Sequence, residues 1–135
     1  MNVIETQDWT MLLPPEWLAE EEDDVVLVSD VDGVGVLEIS CLKREEGLMT
    51  EADVKGFAEE LVASGVSGRP VKVGVLKGFL FEYEEDGEWC RDWFVAVEDL
   101  FILVSYTCMG EDKGMDDATV DELVATIIPL DELED

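Results

Sequence analysis

The chain has 135 residues, 47% of them hydrophobic, with four Trp, five Phe and two Tyr; that is enough for one ordinary core and is not the composition of a disordered polymer. Against 8 Lys and Arg stand 35 Asp and Glu, a net charge of −27. Eight scattered cations cannot form the basic patch that nucleic acid or an anionic membrane demands, so both are excluded as partners.

The N-terminal MNVIETQDW has no basic segment ahead of an apolar run, so no secretory signal is expected. No stretch approaches the ~18 apolar residues of a membrane span. Residues 9–13, WTMLL, read as a short strand that stops at Pro14-Pro15. Trp17 follows, as a buried anchor or a ligand platform; the usual burial of Trp favours the anchor. The run AEEEDD at 19–24 reads as a solvated acidic loop, with cation or basic-partner binding as the alternative. VVLVS at 25–29 is a β-branched strand pattern.

SDVDGVGVLEIS at 29–40 offers three acidic residues and two glycines, and three readings. A calcium loop would need a distant Glu and flanking helices. A dinucleotide loop would need a third Gly opening a helix. Both fail on context, and Asp32-Gly33 between strand patterns reads as a hairpin turn. Beyond it Leu37, Ile39 and Cys41 alternate with Glu38 and Ser40.

Residues 50–63 predict a helix. Thr50 caps it with Asp53 three residues on, and Val54, Phe57, Ala58, Leu61 and Val62 make one apolar stripe. Residues 69–109 read as antiparallel strands, with a bend or bulge at Lys77-Gly78 and turns at Asp86-Gly87 and Glu98-Asp99. Trp93, Val95 and Val97 fall on one face. A last helix begins near Asp116-Asp117, carries Val120, Leu123, Val124, Ile127 and Ile128 inward, and ends at Pro129.

The order β-ββ-α-βββ-α predicts an α+β sandwich, an antiparallel sheet of about six strands packed with two helices. A single domain over 1–135 is expected, with its core at about 9–130 and an acidic tail at 131–135. Cys41, Cys90 and Cys108 are odd in number and lie in strand patterns, so they read as buried, reduced thiols of a cytoplasmic protein. The absence of His removes triad nucleophiles, imidazole acid–base chemistry and His-containing zinc sites. Nothing in the pattern calls for a cofactor or a metal.

The layout resembles the PsbP-like superfamily over roughly residues 9–130. LLPPEW at 12–17 is similar to that family's first strand and Pro-x-x-Trp element, VEDLFILVSYTC at 97–108 to its last strand, and the helix ending in IIPL at 127–130 to its C-terminal helix. The superfamily includes an extrinsic photosystem subunit, a Ran-binding import factor, DcrB-like lipoproteins and adaptor chaperones of type VI secretion. The resemblance implies a PsbP-like sandwich that binds or scaffolds and does not catalyse. The lack of a lipoprotein signal or plastid transit segment speaks against the DcrB-like and photosystem roles.

The richest local constellation is FEYEEDGEWCRDW at 81–93. Glu82, Glu84, Glu85, Asp86, Glu88 and Trp89 are its candidate protein-binding residues, since an acidic hairpin with aromatics can steer a basic partner. The competing reading is a solvated tip with aromatics turned to the core. The functional expectation is a non-enzymatic, protein-binding module with a basic partner, an adaptor, chaperone or immunity-type protein for a secreted effector. The alternatives are a weak divalent-cation module, a halophile-type acidic domain, or a carboxylate-based hydrolase. Monomer and homodimer both stay open.

Overall fold

Residues 2–31 and 33–130 are described by the computed structural model. Asp32 of the expected turn and the expected acidic tail at 131–135 lie outside them. The elements are β1 (Asn2–Glu5), β2 (Trp9–Leu13), β3 (Trp17–Glu22), β4 (Val25–Asp30), β5 (Gly35–Lys43), α1 (Glu51–Phe57), α2 (Glu59–Ala63), β6 (Gly68–Val73), β7 (Leu76–Glu85), β8 (Glu88–Val97), β9 (Leu100–Met109), α3 (Asp117–Ala125) and β10 (Ile128–Pro129). They form a seven-stranded antiparallel sheet, β3-β4-β5-β9-β8-β7-β6, and a three-stranded one, β1-β2-β10. The α+β antiparallel class expected from the alternation is the class observed, with ten strands among the described residues where about six were expected, because β1, β3 and β10 join and the stretch from Gly68 to Glu85 divides into β6 and β7.

Alternation divides the large sheet into two faces. On the first, Val28, Leu37, Ile39, Trp93, Val95, Ile102 and Val104 form the main core. The small sheet closes over them with Trp9, Met11 and Leu13, and α3 adds Val120, Leu123 and Val124. Trp17 is buried here, as an anchor. On the second face Phe81, Phe94 and Phe101 pack under Val54 of α1 and Ala58 beside it.

Four local expectations are corrected. The run at 19–24 is not a loop: Glu20–Glu22 belong to edge strand β3, paired with Val25–Leu27. An edge strand lets carboxylates reach water, and the charge blocks a further strand from adding. The helix at 50–63 is broken at Ala58 into α1 and α2. The capping box forms, Thr50 Oγ1 accepting from Asp53 N at 3.1 Å, but the break leaves Phe57 and Val62 exposed. Phe57 stacks on Phe101 with ring centroids 4.3 Å apart.

Lys77 and Gly78 lie inside β7, not at a bend; the reversal falls at Gly74, whose φ of 61° suits glycine. The last helix stops at Ala125, so Ile127 and Ile128 are not helical. Thr126 Oγ1 donates to Leu123 O at 2.7 Å and accepts from Leu12 N at 3.1 Å, and Ile128–Pro129 then pair with β2. Asp86 and Gly87 both take positive φ, 51° and 84°, as a tight hairpin turn demands.

Candidate functional site

The β7–β8 hairpin splits its six candidate residues between the two faces. Glu82, Glu84 and Trp89 turn toward the first face. Glu82 Oε2 accepts from Arg91 Nε at 2.9 Å, and Glu82 Oε1 meets Arg69 at 3.3 Å. Trp89 is buried against the main core, and Lys113 Nζ sits 4.1 Å from its ring centroid while approaching Glu84 at 3.9 Å. Glu85 and Glu88 are exposed, pair with each other in register, and project from the second face beside Met109; Asp86 is exposed in the turn.

That second face is covered only where α1 and α2 lie. Over β3, β4, β5 and the hairpin end of β9 it is open. Leu18, Ser29, Val36 and Thr107 form one cross-sheet row, and Glu20, Leu27, Glu38 and Ser105 the next. Leu18 is 59% exposed, Val36 41% and Met109 54%. Apolar side chains thus stand in water between Glu20 and Glu38 on one side and Glu85 and Glu88 on the other. These rows hold no Lys or Arg. The sequence reading missed this face because it placed Glu20–Glu22 in a loop. The period-two pattern of Leu18, Glu20 and Glu22 against Trp17 was the available signal.

Two buried polar groups tie the elements together. Arg91, 3% exposed, donates to Glu82 and to Asp121 Oδ1 (2.9 Å), lies 3.7 Å from Asp117 Oδ1, and stacks 4.6 Å from the Trp93 ring centroid. It therefore binds α3 to the centre of the sheet. On the other face Tyr83 Oη donates to Asp92 Oδ2 at 2.7 Å, and Ser105 lies directly opposite Asp92 in the β8–β9 ladder.

Burial pushes the Asp92 carboxyl above its ordinary range, against the pull of Tyr83 and Ser105, which lower it. The folded state holds this proton more tightly than the unfolded chain. Asp92 thus supports folding fully below the ordinary value of 3.8, and that support is lost as pH rises through the folded value. Asp92→Asn keeps an acceptor for Tyr83 and buries no charge. We expect it to raise the melting temperature at pH 7 and to leave it nearly unchanged at about pH 3. Circular dichroism melts at both pH values check this; a less stable variant at pH 7 would show that the charged hydrogen bonds outweigh desolvation.

The three thiols are held in protonated form. Burial, reinforced by the Asp8 carboxylate, pushes Cys41 up to about 11, and burial also raises Cys90 and Cys108. Cys90 and Cys108 are buried as expected, but Cys41 is only partly so, because it lines an acidic cleft of about 610 Å³ with Glu5, Asp8, Glu21, Asp23 and Asp24. Among the described residues no three carboxylate or thiol groups gather closely enough to hold a metal ion. Nor, among them, is any helix long and apolar enough to cross a membrane.

The fold defines the class: an α+β sandwich with helices on both sides of one antiparallel sheet. No protein-family model matches the sequence, and no curated protein matches it. A crystal structure of a protein from Bacteroides thetaiotaomicron VPI-5482 shares the fold at TM-score 0.69 and 20% identity, over 90% of this chain and 44% of that one. The chain therefore spans less than half the length of that protein. The solution structure of cyanobacterial PsbP (CyanoP) from Synechocystis sp. PCC 6803 is similar at TM-score 0.46 and 12% identity, over 90% of this chain and 86% of that one.

Proposed function

We propose that the protein is a non-enzymatic, PsbP-like binding module of the cytoplasm that docks a basic protein on the open half of its second sheet face. In its most specific form it is an adaptor, chaperone or immunity-type protein acting on a secreted effector. One observation carries the reading: Leu18, Val36 and Met109 are exposed in a field of Glu20, Glu38, Glu85 and Glu88 with no cation among them. An apolar centre with a charged rim is the anatomy of a protein interface. Carboxylates of one sign raise the rate of encounter with a basic partner and select against acidic ones.

The test compares two charge reversals in capture from native lysate at low salt. One variant carries Glu38→Lys, Glu85→Lys and Glu88→Lys; the control carries Glu45→Lys, Glu59→Lys and Glu60→Lys, away from the open rows. The expected result is one basic protein retained by the parent and the control and reduced at least tenfold by the face variant. Equal loss from both variants would mean that total acidity, not this face, governs retention, and the docking assignment would fall.

A further inference from the structure

Cations are scarce here, 8 against 35 carboxylates, so an unpaired one stands out. Arg44, Lys55, Arg69, Arg91 and Lys113 each pair with a carboxylate, and Lys43 is also engaged. Lys72 and Lys77 form no ion pair among the described residues, yet they are directly opposite each other in the β6–β7 ladder. Like charges in that arrangement repel, and nothing in the described fold repays the repulsion.

Both lysines line a cleft of about 690 Å³ between the start of α1 and strands β6 and β7. Its walls are mostly apolar: Met49, Val54, Val71, Val75, Phe79 and Val97. Phe79 also lines a second apolar cleft, of about 430 Å³, running under Lys55 toward Val62. The acidic lining residues of the first are Glu51, which Lys55 approaches at 3.6 Å, and Glu98 in the β8–β9 turn. Volume and lining match a small-molecule site, with a few polar groups fixing one end of an apolar ligand.

We propose that this cleft binds a single-chain amphiphile with an anionic head, a fatty-acid carboxylate, whose head takes Lys72 and Lys77 and whose chain lies along Val54 and Phe79, which pack on the same sheet face. The net charge of −27 does not forbid such a ligand. At physiological ionic strength charges beyond about 8 Å are largely screened, so the field at the head group is set by the cleft's own charges: Lys72 and Lys77, against Glu98 and a Glu51 that Lys55 already engages. This site is separate from the open face: it lies at the β6 edge, and its failure would leave the docking proposal untouched.

The probe is decanoate, titrated calorimetrically below its micelle concentration, with methyl NMR shifts at Val54 and Val75, both of which line the cleft, to locate it. One-to-one saturation is expected, with decanol at least tenfold weaker. Lys72→Gln/Lys77→Gln should lose at least tenfold in decanoate affinity while melting no lower than the parent, because the cross-strand repulsion is relieved. Equal binding of decanol and decanoate, an unaffected double variant, or no saturation would each overturn the proposal.

Discussion

Arg91→Ala is expected to destabilise the protein by about 3 kcal/mol, the lower end for breaking a buried ion pair. The guanidinium is 3% exposed and spends its donors on Glu82 and Asp121, with Asp117 close by. Its removal leaves three carboxylates converging on a vacated site. Those carboxylates are 28–55% exposed and can rehydrate, which is why the lower end applies. The stacking on Trp93 is lost as well. Arg91→Lys should recover part of the loss, since a point charge replaces a fork that reaches two elements. Urea unfolding measures the change, and hydrogen exchange across 117–125 should show α3 loosening first. A loss under about 1 kcal/mol would remove Arg91 from its place as the tie between α3 and the sheet.

Gly78→Ala should cost at least as much, about 3 kcal/mol or more, for a steric reason. A Cβ at this position would overlap the Phe94 carbonyl oxygen and lie 2.8 Å from the Val95 Cα. Both obstacles are backbone of the paired strand β8, so no side chain can turn away. Gly56→Ala is the control. Gly56 lies within α1 with nothing within 4 Å of an added Cβ, so alanine there should stabilise by about 0.4–1 kcal/mol. Opposite signs for the two substitutions are the expected result in parallel urea titrations. A tolerated alanine at 78 would show that β7 and β8 can separate locally, contrary to the tight register seen.

Much of the sheet was legible in the residues because alternation is a local property. Leu37, Ile39 and Cys41 share a face with Trp93, Val95 and Val97, as their spacing predicts. The Asp86-Gly87 tip was readable for the same reason, since those two residues tolerate positive φ. The edge strand β3 was hidden by its own charge: in the middle of a sheet Glu20–Glu22 would be untenable, and only an edge position hydrates them. Strand β10 was hidden because Ile127 and Ile128 continue the helical stripe of α3. What ends the helix is the Thr126 hydroxyl bonding to β2, a partner 114 residues away in sequence.

The candidate site divides along the same line. The acidic hairpin could be read from sequence, including which of its residues fall on alternate faces, because a strand's period of two needs no knowledge of what lies above it. Which face is covered is a different kind of fact. It depends on where α1 and α2 come to rest, and the break at Ala58 confines them to Phe81, Phe94 and Phe101. That docking leaves Leu18, Val36 and Met109 uncovered beside Glu85 and Glu88, while Trp89, on the opposite face, is buried against the main core with Lys113 over its ring. By itself the sequence determined the class of fold, the strand faces and the acidity, all of which follow from local periodicity and composition. Only the tertiary structure decided which residues share an open surface, because long-range packing chooses what each face meets.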